Sequence, residues 1–113
     1  MKKLLLILLC LPFIGFGQLT YVPDDNFEAY LEANGMGNGI PNDDSVQTSN
    51  INTLSTIDLS STSISDLTGI EDFSSLIELY CQDNQLSTID VSNNINLEKL
   101  DCDDNQLSVI DVT

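Results

Sequence analysis

The sequence predicts an α/β fold in which short parallel strands stack coil upon coil into a solenoid, with a mostly irregular convex side and a small N-terminal helical cap. Three observations predict it. Residues 81–112, CQDNQLSTIDVSNNINLEKLDCDDNQLSVIDV, repeat the pattern CxDNQLSxIDV after 21 residues. Apolar residues recur in one order three times from Leu54 onward. A separate amphipathic segment with helix start and stop signals precedes them.

Residues 1–17 read as an export signal rather than as part of the fold. Lys2 and Lys3 form the positive start, residues 4–14 the apolar run, and Gly15 and Gly17 the small positions before cleavage at Gln18. The run is too short for a bilayer, which takes roughly 20 residues, and no second run follows, so the mature chain is not expected to insert in a membrane. Lipid attachment at Cys10 is disfavoured because the bulky Leu9 precedes it. Without Lys2 and Lys3, Lys99 stands alone against 18 Asp and Glu. Phosphate binding needs clustered Lys and Arg, so nucleic acid and anionic membrane are disfavoured as partners. The acids keep an exported protein soluble or attract cations and basic partners.

Repeats are sought before elements, because missing them mis-assigns the fold. Leu54, Leu76 and Leu97 align, followed by Ile57, Leu79 and Leu100, then Leu59, Cys81 and Cys102. Thr62, Asn84 and Asn105 come next, then Ile64, Leu86 and Leu107, then Leu67, Ile89 and Ile110. The pattern LxxLxLxxNxLxxL therefore holds over 54–75, 76–96 and an incomplete 97–113. The first spacing is 22 and the second 21, which places one added residue near Gly69.

In each copy the LxL tripeptide, such as Leu79-Tyr80-Cys81, is a short strand whose first and third side chains face inward and whose middle one faces out. One copy cannot bury its apolar set alone, so neighbours must pair in parallel. Asn84 and Asn105 fall where the chain leaves the strand, and an inward amide there both donates to and accepts from stranded backbone groups. Thr62 offers less of this. Cys81 and Cys102 hold the same position in two copies. Export permits a bridge between them, but stacked equivalent positions favour small buried residues, and free Cys is among the most buried types.

This pattern resembles the leucine-rich repeat. The segment ISDLTGIEDFSSL, residues 64–76, is similar to the 22-residue repeats of internalins, and the copies with Cys and IDVSNN resemble repeats of secreted bacterial proteins. Many of those carry a sorting domain for type IX secretion, which this sequence does not show. The resemblance covers about residues 54–113 and implies a fold more specifically than a function.

Residues 18–53 should cap the first coil. Asp24 and Asp25 suit an N-cap and first-turn acid, Phe27, Tyr30 and Leu31 share a helical face, and Gly35 suits a stop, which predicts a helix over about residues 25–34. VPDDNFEAYLEANG also resembles the cap of those secreted proteins. GMGNGIPNDDSV reads as loop, and Ile51, three residues before Leu54 as Phe73 is before Leu76, should back the first coil. The break at Thr113 in mid-repeat leads us to expect a piece of a longer chain.

Catalytic chemistry is mostly excluded. The absence of His removes Ser-His-Asp and Cys-His arrangements and the main zinc ligand, and NGMGNG lacks the Lys and context of a phosphate loop. Two carboxylates suffice for a glycosidase, but the outward positions line a shallow face, so no enzyme and no cofactor is expected. Calcium is a minority possibility, with Asp83, Asp101, Asp103 and Asp104, or the loop 38–44, as oxygen sources.

The repeat separates holding the fold from meeting a partner. The outward positions are Thr56, Asp58 and Ser60, then Glu78, Tyr80 and Gln82, then Lys99, Asp101 and Asp103. The expected function is an exported binding module, secreted or on the cell surface, that recognises a protein or glycan through this concave face, with Tyr80 as anchor. The alternative is a structural spacer in a longer surface protein with no ligand of its own.

Overall fold

A computed structural model describes residues 17–112. The export signal and Cys10 lie outside the described residues, apart from Gly17. Strand β1 (Leu19–Tyr21) leads into helix α1 (Asp25–Ala33), a loop, β2 (Ser45–Gln47) and a 3-10 turn (Thr48–Asn50). Then follow β3 (Thr56–Asp58), a second 3-10 turn (Ile70–Asp72), β4 (Glu78–Tyr80), β5 (Thr88–Asp90), β6 (Lys99–Asp101) and β7 (Val109–Asp111).

The expected fold class is corrected by these elements. They form three small sheets, one antiparallel and two parallel, and one helix, rather than a regular α/β solenoid. The N-terminal block is not simply helical, because β1 pairs with β2 antiparallel, Thr20 opposite Val46. The side expected to be irregular carries a parallel pair, β5 with β7, Ile89 opposite Ile110. The third sheet is β3-β4-β6, parallel throughout.

The return arms explain the difference. Thr88-Ile89-Asp90 and Val109-Ile110-Asp111 place β-branched residues in succession, which favours a pleated strand, whereas the aligned residues of the first copy, Asp66-Leu67-Thr68, lack that run and form no strand, and the 3-10 turn Ile70–Asp72 follows them. Copies with unlike return arms do not build one uniform outer wall.

Helix α1 starts where Asp24 Oδ1 accepts the N–H groups of Asn26 and Phe27, both at 2.9 Å, and stops before Gly35, whose φ of +75° suits a residue without Cβ. Its inner face buries Phe27 and Leu31 against the repeats, where the Phe27 and Phe73 rings stack with centroids 6.1 Å apart. Asp24 also fastens the helix to the first copy, since its Oδ2 accepts from the backbone N–H of Ser65 and of Asp66.

Gly69, the added residue of the first copy, has φ +110°, and a Cβ there would stand 2.8 Å from Val22 Cγ2 and 2.9 Å from the Tyr21 carbonyl oxygen. The insertion thus lets the first return arm lie against the N-terminal block.

The core runs from Val22, Phe27 and Ile51 through Leu59, Ile64, Phe73 and Leu76 to Leu79, Cys81, Leu86 and Ile89, all buried. It thins in the third copy, where Leu100, Cys102 and Leu107 are half-buried and Ile110 is exposed.

Candidate functional site

The sheet β3-β4-β6 gathers six of the nine outward residues in two rows. Thr56, Glu78 and Lys99 are register partners across the strands, as are Asp58, Tyr80 and Asp101, while the middle rung Ile57-Leu79-Leu100 turns inward. Ser60, Gln82 and Asp103 follow just beyond the strand ends, where pairing continues through Leu59 N–H to the Tyr80 carbonyl (2.6 Å), Cys81 N–H to the Asp101 carbonyl (2.9 Å) and Ser61 N–H to the Gln82 carbonyl (3.1 Å).

Side chains on this face are tied to one another. The Tyr80 hydroxyl donates to Glu78 Oε1 at 3.1 Å, and the Thr56 hydroxyl reaches the same oxygen at 3.5 Å. Ser60 gives both its N–H (3.0 Å) and its hydroxyl (2.6 Å) to Asp58 Oδ1, which holds the Asp58 carboxyl below its ordinary range. Lys99 Nζ stands 5.2 Å from the centre of the Tyr80 ring. Gln82 Oε1 is buried and has no hydrogen-bond partner.

Beneath the face, two Asn side chains stitch successive copies. Asn84 donates to the carbonyls of Leu59 (2.8 Å) and Cys81 (3.0 Å) and accepts from the N–H of Thr62 (3.1 Å) and Ile64 (2.9 Å). Asn105 repeats this one copy later, donating to Cys81 and Cys102 carbonyls and accepting from Leu86 N–H, each at 3.0 Å. Asp83 and Asp104, the residues just before, adopt φ of 58° and 57°, the turn that aims each amide inward.

Cys81 and Cys102 are both free thiols. Cys81 is buried, its Sγ donating to the Asp101 carbonyl at 3.4 Å, and burial pushes its pKa up to about 12. Cys102 is half-buried and also raised, chiefly by burial. Neither is an activated nucleophile.

The carboxylates that do converge are not Asp83, Asp101, Asp103 and Asp104. Among the described residues they are Asp25, Glu28 and Asp44, and Glu28, Glu32 and Asp43, each trio having oxygens within 4.8 Å. Part of the loop 38–44 is thereby included. Yet Glu28 accepts the N–H groups of Asp43 and Asp44, each at 3.1 Å, and Glu32 those of Asn38 (3.0 Å) and Gly39 (3.1 Å). Calcium takes six to eight oxygen ligands, and here the loop turns N–H donors toward the carboxylates, so the donor set is that of a hydrogen-bonded clamp. Burial raises the Glu28 pKa.

Sequence reasoning missed this clamp and Asn94. Asp24, Glu28 and Glu32 recur every fourth residue, the spacing of one helical stripe, which was the available signal. Asn94, which lies beyond the LxxLxLxxNxLxxL positions of its copy, is buried and donates to the Ile70 (2.9 Å) and Phe73 (3.1 Å) carbonyls of the preceding copy. Its equivalent in that copy is Phe73, so no alignment column announced it.

No family model matches the chain. It is 38% identical over 74 residues to Internalin J of Listeria monocytogenes serotype 4b (strain F2365). The match takes in 66% of this chain and 8% of the relative, so the chain spans only a small part of that protein's length. A solved structure of the functional domain of InlJ from Listeria monocytogenes, described as including a cysteine ladder, superposes with a TM-score of 0.67 at 35% identity, covering 81% of this chain and 21% of the other. Here Cys81 and Cys102 occupy matching positions in adjacent copies. The CBM51-2 and INT domains of Clostridium perfringens ZmpB superpose with a TM-score of 0.61 at 20% identity over 75% of this chain and 17% of theirs, a likeness of fold alone. Among the described residues no helix is long and apolar enough to cross a membrane.

Proposed function

We propose that the chain is a non-enzymatic, exported binding module that meets a protein or glycan through the outward face of β3-β4-β6, at the cell surface or after secretion. One observation carries this reading: three strands in register present Thr56, Asp58, Glu78, Tyr80, Lys99 and Asp101 side by side while Ile57 and Leu79 hold the interior. Side chains there differ from copy to copy at constant fold, which is how a repeat surface acquires a partner without disturbing its core. Similarity to Internalin J supports a surface protein, and the Lys2-Lys3 start with its apolar run supports export. Tyr80 supplies the one aromatic anchor among the nine positions.

The test compares wild type with the Tyr80→Ala, Asp101→Ala double variant on glycan arrays and displayed peptide libraries, after thermal melting shows both folded. Ligands held by wild type should be lost by the variant. A wild type that retains nothing, or a variant that retains the same ligands, would favour the spacer reading. Glycan turnover by pure protein would overturn the non-enzymatic one.

A further inference from the structure

We infer, building on the reading of β3-β4-β6 as the binding face, that its partner is a cationic polypeptide segment whose Lys or Arg side chains lie against Tyr80 and the surrounding acids. The face carries Asp58, Glu78, Asp101 and Asp103 against one base, Lys99, which is also the only base among the described residues. Such a field raises the encounter rate with basic partners and repels anionic ones.

The hydroxyls of the face do not offset this sign. These donors are already spent on carboxylates: Ser60 on Asp58, and both Thr56 and Tyr80 on Glu78. Lys and Arg offer donors only, so they complement the carboxylate oxygens of Asp58, Glu78, Asp101 and Asp103. The Tyr80 ring already accommodates an ammonium. Lys99 Nζ over its face is the chain's own stand-in for a ligand cation, and Lys99 forms no ion pair among the described residues. An incoming Arg or Lys either displaces it or stacks beside it.

The test titrates the full chain against fluorescein-labelled nona-arginine, nona-lysine and nona-glutamate, read by anisotropy, with amide shifts recorded by NMR. The basic peptides should bind, weaken as salt rises, and shift the amides of β3, β4 and β6, while nona-glutamate stays free. Tyr80→Ala and Asp101→Asn should each weaken nona-arginine by about 5- to 10-fold, against less than about 2-fold for Asp25→Asn with Asp90→Asn, acids on α1 and on the separate β5-β7 sheet. Lys99→Ala should tighten binding in wild type more than in the Tyr80→Ala background, a difference that net charge alone does not produce. Equal weakening by face and control variants would reduce the effect to general acidity and overturn the inference. If a neutral glycan or peptide shifts these strands and nona-arginine does not, the binding face stands and the cationic partner falls; if no probe shifts them, both fall.

Discussion

The second and third copies carry nearly the same residues and fare differently. Leu79, Cys81, Leu86 and Ile89 are buried, while their counterparts Leu100, Cys102, Leu107 and Ile110 are half-buried or exposed. Identity of side chain is therefore not what buries a rung. The second copy has a neighbour on each side, pairing with β3 through β4 and with β6 beyond it, whereas β6 is paired on one side among the described residues. Each copy is stabilised by the surface its neighbours cover.

The comparison is broken most directly in the apolar rung. Leu79→Ala should cost about 3 kcal/mol and Leu100→Ala about 1, because the cavity term applies fully only where the site is closed on all sides. Urea unfolding of both variants measures it, and equal losses would mean that position in the stack is irrelevant.

The amide pair comes next. Asn84→Ala leaves the Thr62 and Ile64 N–H groups without their acceptor, while the Leu59 and Cys81 carbonyls keep the Thr62 hydroxyl and Asn105, and should cost about 2 kcal/mol; Asn105→Ala, with partners nearer solvent, should cost about 1. Hydrogen exchange at Thr62 and Ile64 in the first variant, and at Leu86 in the second, locates the loss.

The thiols sharpen the same contrast kinetically. Iodoacetamide should modify Cys102 at least about 10-fold faster than Cys81, because the thiolate is the reacting species and burial both shields Cys81 and pushes its pKa up to about 12. Both rates should still be climbing above the ordinary thiol range, and mass spectrometry of peptides from a time course separates them.

The smallest effect belongs to the face. Ser60→Ala removes the hydroxyl bond to the Asp58 carboxylate and leaves the backbone N–H bond, so its titration, followed by NMR, should move part of the way up toward the ordinary Asp value. Asp58's folded pKa is depressed, so the stability it brings is present above the unfolded Asp value and lost as pH falls through the folded one. The variant should lose part of that acid-side dependence and leave neutral-pH stability within about 0.5 kcal/mol.

What the sequence by itself determined is periodic. Spacings of 22 and 21 fixed which residues become register partners, from Thr56-Glu78-Lys99 to Asp58-Tyr80-Asp101, because a strand's side chains alternate and parallel neighbours align like with like. Asp24 and Gly35 likewise marked the ends of α1, since capping is a local matter of one side chain and one backbone angle. Tertiary structure alone decided the mixed sheets, the turn of Asn94 toward the preceding copy, and the hold of Glu28 and Glu32 on a loop up to 16 residues away. Those features depend on which backbone groups are left without a ladder partner once the copies are in place. Such a vacancy exists only between segments, and no single stretch of sequence contains it.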